Sequence, residues 1–410
     1  MSIVVSHPTG NQNVRALLAA LERNNLLNKY FTTVGFSENT SLIKFLGPLK
    51  NEAIKRLYSE NIYQKTETFP WLELGRIFAN KAHLPYLTQH ENGIFSVDHI
   101  YKNIDNHTAK FLAKRSLHIQ GIYSYEDCAF NSFKVAKEHG MSCYYELPIA
   151  YWATAKSLLT KEADRLPEWA ITLGGGIADS EEKLNRKSTE LNLADKIIVP
   201  SKFVKDSLPK EIDLQKVIMS PFGSPSINPQ LKLPSLSELK TRKLKVLFVG
   251  GMGQRKGLGD LFNAMKTLNG ENVELIVLGS PLVDLEFYKK QYPSFIYAGL
   301  KPHAEVLQLM SECDVFCLPS IVEGRALVLQ EAMSQGLPLI ITPNTGGEDL
   351  IEEGKTGFLV NCGDHNKIAE KIQWLSEHKE ELLEMKYNAI KKATLYSWEG
   401  YGDLIVNGLN

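Results

Sequence analysis

Two short stretches of this 410-residue chain carry residue types suited to a phosphorylated ligand. The first is VGGMGQRKG, in which Gly250, Gly251, Gly253 and Gly257 surround Arg255 and Lys256. Glycines at a strand-to-helix turn let backbone approach a ligand, and the helix start that follows offers unpaired amides. A diphosphate fits such a place, with Arg255 and Lys256 as its countercharge. The blander alternative is a tight turn whose charges simply face solvent. The second stretch is EGRALVLQE, with Glu323 in a loop after a strand and Glu331 eight residues later, on a helix beginning near Arg325. Two carboxylates so spaced can meet two hydroxyl-bearing parts of one long ligand. The helix-start amides of Leu327 and Val328 can meet its phosphate oxygens.

Other uses of these elements fit less well. A Walker A loop needs Ser or Thr after its Lys to hold magnesium, whereas Lys256 is followed by Gly257 and Leu258. A dinucleotide fold wants GxGxxG and an acid ending the next strand; here the spacing is GxGxxxG and the strand ends VLGS, with Glu274 at its start. Cys128, Cys143, Cys313, Cys317 and Cys362 show no paired metal-ligand spacing, and no Asp-x-Asp lies near the loops, so neither metal nor cofactor is expected. With 46 basic against 47 acidic residues the net charge is -1, which points away from nucleic acid.

The amino terminus carries no signal pattern, no window is long and apolar enough to span a membrane, and no cysteine framework is present; a cytoplasmic protein is expected. Peripheral contact with the inner face of a membrane stays open. The segment IYKNIDNHTAKFLAKRSLHIQ mixes basic and apolar residues and reads as either such a contact or a solvated helix.

Something must position the two stretches. From 243 onward, apolar runs KLKVLFVG, NVELIVLG, SFIYAG, CDVFCLPS, LPLIIT and GFLV alternate with helix-like GLGDLFNAMKTL, HAEVLQLMSE and ALVLQEAMSQ. Strands apolar on both faces, separated by helices, indicate a doubly wound parallel sheet. The first half repeats the rhythm with IVVS, YFTTVG, LHIQGIYS, MSCYYELP, AITLG, DKIIVPS and KVIMSPFG, and its first helix sets Val14, Leu17, Leu18 and Leu21 on one side. The expected architecture is α/β, with two Rossmann-like domains facing a cleft: residues 1–225, a Ser- and Pro-rich linker at 226–242, a second domain at 243–390, and a terminal helix at 391–410. That helix either docks on its own domain or crosses back to the first.

FVGGMGQRKG, EGRALVLQE within PSIVEGRALVLQEAMSQGLPLI, NTGGEDLIEEGKTGFLV, and ADKIIVPSKFVKDSL followed by SPFG together resemble the family 4 retaining glycosyltransferases, whose two-domain fold is called B. The resemblance covers residues 170–405, and the first 170 only by position in the fold. It implies that Glu331 bonds the donor ribose, that Glu323 holds hydroxyls of the transferred sugar, and that Lys256 is the phosphate-binding lysine. It places Leu300 where backbone meets the base, and Gly346 and Gly347 in a second donor-side loop. Gly251 stands where the family often has Arg, which Arg255 can replace from elsewhere on the loop, and Ala326 stands where it often has Gly. Gly10 falls in the family's first glycine-rich loop, flanked by His7 and Arg15; Glu146 stands near a position often held by His. His90 is a further candidate for the cleft, and Tyr144, Tyr145, Tyr151 and Trp152 are candidates to stack on a saccharide or to fill a core.

The implied reaction is transfer of a sugar from a UDP-, GDP- or similar nucleotide sugar to a hydroxyl on a saccharide or glycolipid acceptor, with retention and with phosphate held by cations rather than metal. Two other readings share the fold. An epimerase or phosphorylase would act on donor without an external hydroxyl, and a non-catalytic binding or scaffolding protein would bind donor without transfer or hydrolysis.

Overall fold

Buried, β-branched runs form the strands, and in the computed structural model, which describes residues 2–40, 53–54, 56–114, 118–174, 178–268 and 272–409, they build two parallel sheets. The first half supplies β1 (Ile3–Ser6), β2 (Leu27–Thr32), a two-residue pair β3 (Phe36–Ser37) and β4 (Leu57–Tyr58), then β5 (Thr66–Thr68), β6 (Gly121–Tyr125), β7 (Ser142–Glu146), β8 (Lys196–Val199) and β9 (Val217–Met219). Its main sheet runs β5-β2-β1-β6-β7-β8-β9. Alternation sends Ile3 and Val5 into one layer and Val4 into the other, so both faces are covered. The helix Gln12–Arg23 buries Val14, Leu17, Leu18 and Leu21, as its spacing predicts.

The second half supplies β10 (Leu244–Val249), β11 (Val273–Leu278), β12 (Ile296–Gly299), β13 (Val315–Leu318), β14 (Leu339–Ile341) and β15 (Gly357–Leu359), in the order β12-β11-β10-β13-β14-β15. In each sheet the order reverses beside one strand, β1 in the first and β10 in the second. Ligand crevices form outside the carboxyl ends of strands at such points.

Three expectations change. AITLG is not a strand: Pro167–Thr172 is a 3₁₀ turn, because Trp169 is drawn into the core of the second domain against Phe262, Phe287 and Tyr288. The linker is partly structured, since Ser235 and Glu238 form a capping box that starts the helix Leu236–Thr241, whose Leu239 joins the second core. The helix Val97–Leu112 buries Ile100, Ile104, Ala109 and Leu112 inside the first domain, so these four apolar residues of the segment left open to a membrane contact or a solvated helix are committed to the core; residues 115–117 of it, including the first residue of LHIQGIYS, lie outside the described residues.

The terminal helix Trp398–Leu409 crosses back. Gly402 lies against Ala16 and Ala20, Arg23 pairs with Asp403 at 2.5 Å, and the Ser220 hydroxyl donates to the Tyr401 carbonyl. Outgoing and returning crossings run side by side, with the Ser224 amide donating to the Tyr396 carbonyl at 3.0 Å. A Cβ on Gly223 would collide with the Trp398 backbone. Among the described residues no helix is long and apolar enough to cross a membrane.

Candidate active site

The loops after β10 and β13 meet at the order reversal of the second sheet. Lys256 Nζ lies 2.5 Å from Glu323 Oε1, and Arg255 Nη1 lies 3.0 Å from the same oxygen. The loops are also stitched through backbone: the Ile321 amide and the Arg255 guanidinium each bond a carbonyl of the other loop, at 2.9 Å. The sequence predicts these three residues at one ligand; it does not predict that they pair with one another. Two cations on one carboxylate leave a net positive charge, so an incoming phosphate oxygen meets no bare anion.

The glycines divide by role. Gly250 has φ +148° and lets the Lys256 stem lie against the loop, since a Cβ there would stand 2.7 Å from Lys256 Cδ. A Cβ on Gly251 would meet nothing within 4 Å, so open space lies where the family's Arg would stand. Gly253 is pressed against the Thr172 carbonyl of the first domain, and the Gln254 amide bonds the Thr172 hydroxyl at 3.0 Å. Gln254, fully buried, also bonds Glu162 and Asp260, which Arg165 bridges with bonds of 2.5 to 2.9 Å. The first domain therefore braces the glycine loop directly.

Glu331 projects from the helix Leu327–Ser334 and meets His303 Nε2 at 3.0 Å. His303 opens the helix that follows β12 and the exposed Leu300, so the chain just after β12 is tied to Glu331. His303 is a residue that the motifs did not single out; its only signal is position after a strand end. The first turn of the Leu327 helix has no side-chain cap, because its N-cap is Ala326, and this leaves the Leu327 and Val328 end open to an anion. Arg325 is structural: its side chain is buried and bonds Asp349, Gly346 and Gln330. Gln330 in turn donates to the Phe222 carbonyl at 2.6 Å and to Ser224, at the interdomain crossing. Gly346 packs on the Gly324 carbonyl, and Gly347 faces Leu329, Ile341 and Leu350.

On the opposite side, Gly324 touches the Pro148 carbonyl so closely that any side chain would collide. Beside this contact lies a cleft of about 390 Å³, lined by Tyr101, Tyr125, Glu126 and Asp127 from the first domain and by Glu323 from the second. Burial pushes the Glu126 carboxyl up, while Lys187 at 3.2 Å opposes the shift. Asp127 holds φ +67°, a conformation uncommon for a non-glycine residue. Tyr125, Glu126 and Asp127 are consecutive and Tyr101 comes from the helix Val97–Leu112, but none was legible beforehand as a site residue, because only the meeting of the two domains sets them beside Glu323.

The remaining candidates are dispersed. His7 and Glu146 are buried 3.7 Å apart. Burial lowers the His7 pKa to about 3 and raises that of Glu146 to about 7, so both favour neutral forms near pH 6 and the contact is not an ion pair there. Glu146 also accepts from Asn13 and Tyr123, and His7 Nε2 has no hydrogen-bond partner. Arg15 bonds Gln12, and Gly10 is half-buried in the loop after β1. His90 pairs with Asp179 at 2.8 Å and is not among the residues lining the cleft. Tyr144, Tyr145 and Tyr151 are buried in the core, and Trp152 donates to Ser188. The cysteines are free, and Cys313 and Cys317 are buried.

Known proteins resemble parts of this chain in sequence and the whole of it in fold. Residues 232–392 match the glycosyl transferases group 1 family. The sulfoquinovosyl transferase SQD2 of Arabidopsis thaliana is 34% identical over 183 residues, 43% of this chain and 36% of that protein. The putative colanic acid biosynthesis glycosyltransferase WcaL of Salmonella typhimurium is 30% identical over 154 residues, 34% of this chain and 38% of that one. The matched segments thus span about half or less of their relatives' lengths. The structure of Anabaena Alr3699/HepE in complex with UDP superposes with a TM-score of 0.63 over 100% of this chain and 99% of that one, at 16% identity. The fold is the glycosyltransferase B arrangement.

Proposed function

We propose that this protein is a retaining glycosyltransferase that moves a hexosyl group from a nucleoside diphosphate sugar to a hydroxyl of a saccharide or glycolipid intermediate in polysaccharide assembly. The observation that carries the reading is the Lys256–Glu323–Arg255 cluster at the order reversal of the donor-side sheet. The group 1 segment, which contains all three residues, supports it, as do relatives named for colanic acid and capsular polysaccharide biosynthesis and the structural likeness to a UDP complex.

In this reading the diphosphate lies between the glycine loop and the open start of the Leu327 helix, with Glu331 and His303 at the nucleoside end. Lys256 and Arg255 neutralise charge as the bond from the anomeric carbon to the β-phosphate oxygen breaks. The acceptor oxygen forms its bond on the same face, and its proton passes to the departing β-phosphate oxygen. Glu323, held by both cations, orients sugar hydroxyls and does not attack. The phosphate charge is met by side chains and amides, so EDTA is expected to leave turnover unchanged. NMR of the product's anomeric proton tests the mechanism, and an inverted centre would overturn it. Donor incubated alone should yield no epimer, and calorimetry should show Glu331→Ala weakening donor binding.

A further inference from the structure

Glu331 and His303 reach each other from segments that leave the second sheet apart. In that sheet β12 and β13 flank β11 and β10, and the glycine loop follows β10. His303 starts the helix after β12, whereas Glu331 lies in the helix after β13. The contact of 3.0 Å between His303 Nε2 and Glu331 Oε1 therefore joins the segments on either side of that loop. Among the described residues no other group bonds the Glu331 carboxylate.

The two partners are not held alike. The helix His303–Ser311 is docked on the second core through Val306 and Met310. Pro302, with its φ locked at −56°, sets the backbone just before it. The end of β12 is tied to β11 as well: the Gly279 amide donates to the Gly299 carbonyl and the Tyr297 hydroxyl to the Gly279 carbonyl, both at 3.0 Å. His303 is thus a donor on a fixed arm. Glu331 sits on a buried helix, but its own side chain is long and has His303 as its one tether. Ordering a free side chain of that kind at the moment of binding weakens affinity. A carboxylate accepts through two oxygens with about four lone-pair sites, so an imidazole N–H on Oε1 leaves Oε2 for a second donor. The imidazole restrains the acid without occupying it.

We propose that His303 is a positioning residue for the ribose of the nucleotide, holding Glu331 so that its second oxygen is presented to a ribose hydroxyl. This rests on the reading of the Glu331 side as the nucleoside end. Its effect falls on donor affinity, because His303 is not part of the Lys256–Glu323–Arg255 cluster. Calorimetry with UDP and 2′,3′-dideoxy-UDP, and with GDP and its dideoxy form, measures it without an acceptor. The parent should bind the ribose form of one base more tightly than the dideoxy form. The His303 side chain is 61% exposed, so its replacement leaves the core intact. His303→Ala should weaken the ribose form about two- to ten-fold and the dideoxy form little. His303→Gln, which keeps an N–H donor, should recover most of that loss. Equal losses on both forms, no loss, tighter binding by His303→Ala, or no recovery by His303→Gln would overturn the positioning role and leave the donor site standing. A parent that binds both forms equally would take the ribose away from Glu331 and overturn the proposal. A parent that binds neither UDP nor GDP would overturn the donor-site reading, and the proposal with it.

Discussion

Lys256 and Arg255 reach the same oxygen of Glu323, and this shared contact governs what happens when one is removed. Lys256→Ala leaves Arg255 to hold Glu323 in place but removes the shorter contact and one countercharge of the leaving group. A loss of about 2–4 kcal/mol in transition-state stabilisation is expected, read as kcat/KM, with little change in melting temperature. Equal turnover would refute the assigned role. Glu146 makes a different prediction. Its pKa of about 7 in the folded chain exceeds its ordinary value, so between roughly pH 4.5 and 7 the folded state holds a proton that the unfolded state has lost. Stability contributed by this group therefore falls as pH rises through that window. Glu146→Gln should gain up to about 3 kcal/mol on the parent between pH 5 and pH 8, measured as paired denaturation curves. An unchanged gap would mean that Glu146 is ionised throughout. Residue types announced Lys256 and Glu323 because glycine loops and paired acids are local signals. His303 and Glu126 gave none, since their places depend on which strands lie side by side and on how the domains meet.

At the scale of elements, burial on both faces made most strands readable, and the exceptions have physical causes. β5 reads Thr-Glu-Thr, a polar edge strand with no apolar run to mark it. AITLG carries the right residues for a strand, but the packing of Trp169 on Phe262 takes the chain elsewhere. The terminal helix was legible as a helix but not in its destination, which is decided by Gly402. A Cβ at that position would stand 2.7 Å from the Ala16 carbonyl and from Ala20. Gly402→Val should force the helix off its partner and destabilise the first domain by about 1–3 kcal/mol, visible as an earlier unfolding transition. Arg23→Ala, which removes an exposed pair with Asp403, should cost less than about 1 kcal/mol.

For the whole molecule, two domains across a cleft followed from the repeated strand-and-helix rhythm, whereas their mutual bracing did not. Glu162, Arg165, Gln254 and Asp260 lie far apart in sequence and become one network only when the domains meet. Arg165→Ala leaves Asp260, with no exposed surface, without its cation. A loss of about 2–3 kcal/mol is expected, below the range for a fully buried pair because the guanidinium is a third exposed. Donor affinity should drop with it, since Gln254 sits in the glycine loop; unchanged calorimetry would separate bracing from binding. The paired crossings at Ser224 and Tyr396 have a mechanical consequence. Two crossings of the same chain tied together at one place form a pivot, which resists twisting and sliding between the domains, while the bracing network around Gln254 has to give before they swing. Displacement then grows with distance from the pivot. Gln330 grips that pivot while its neighbour Glu331 meets His303, which puts the short arm of a lever beside that pair.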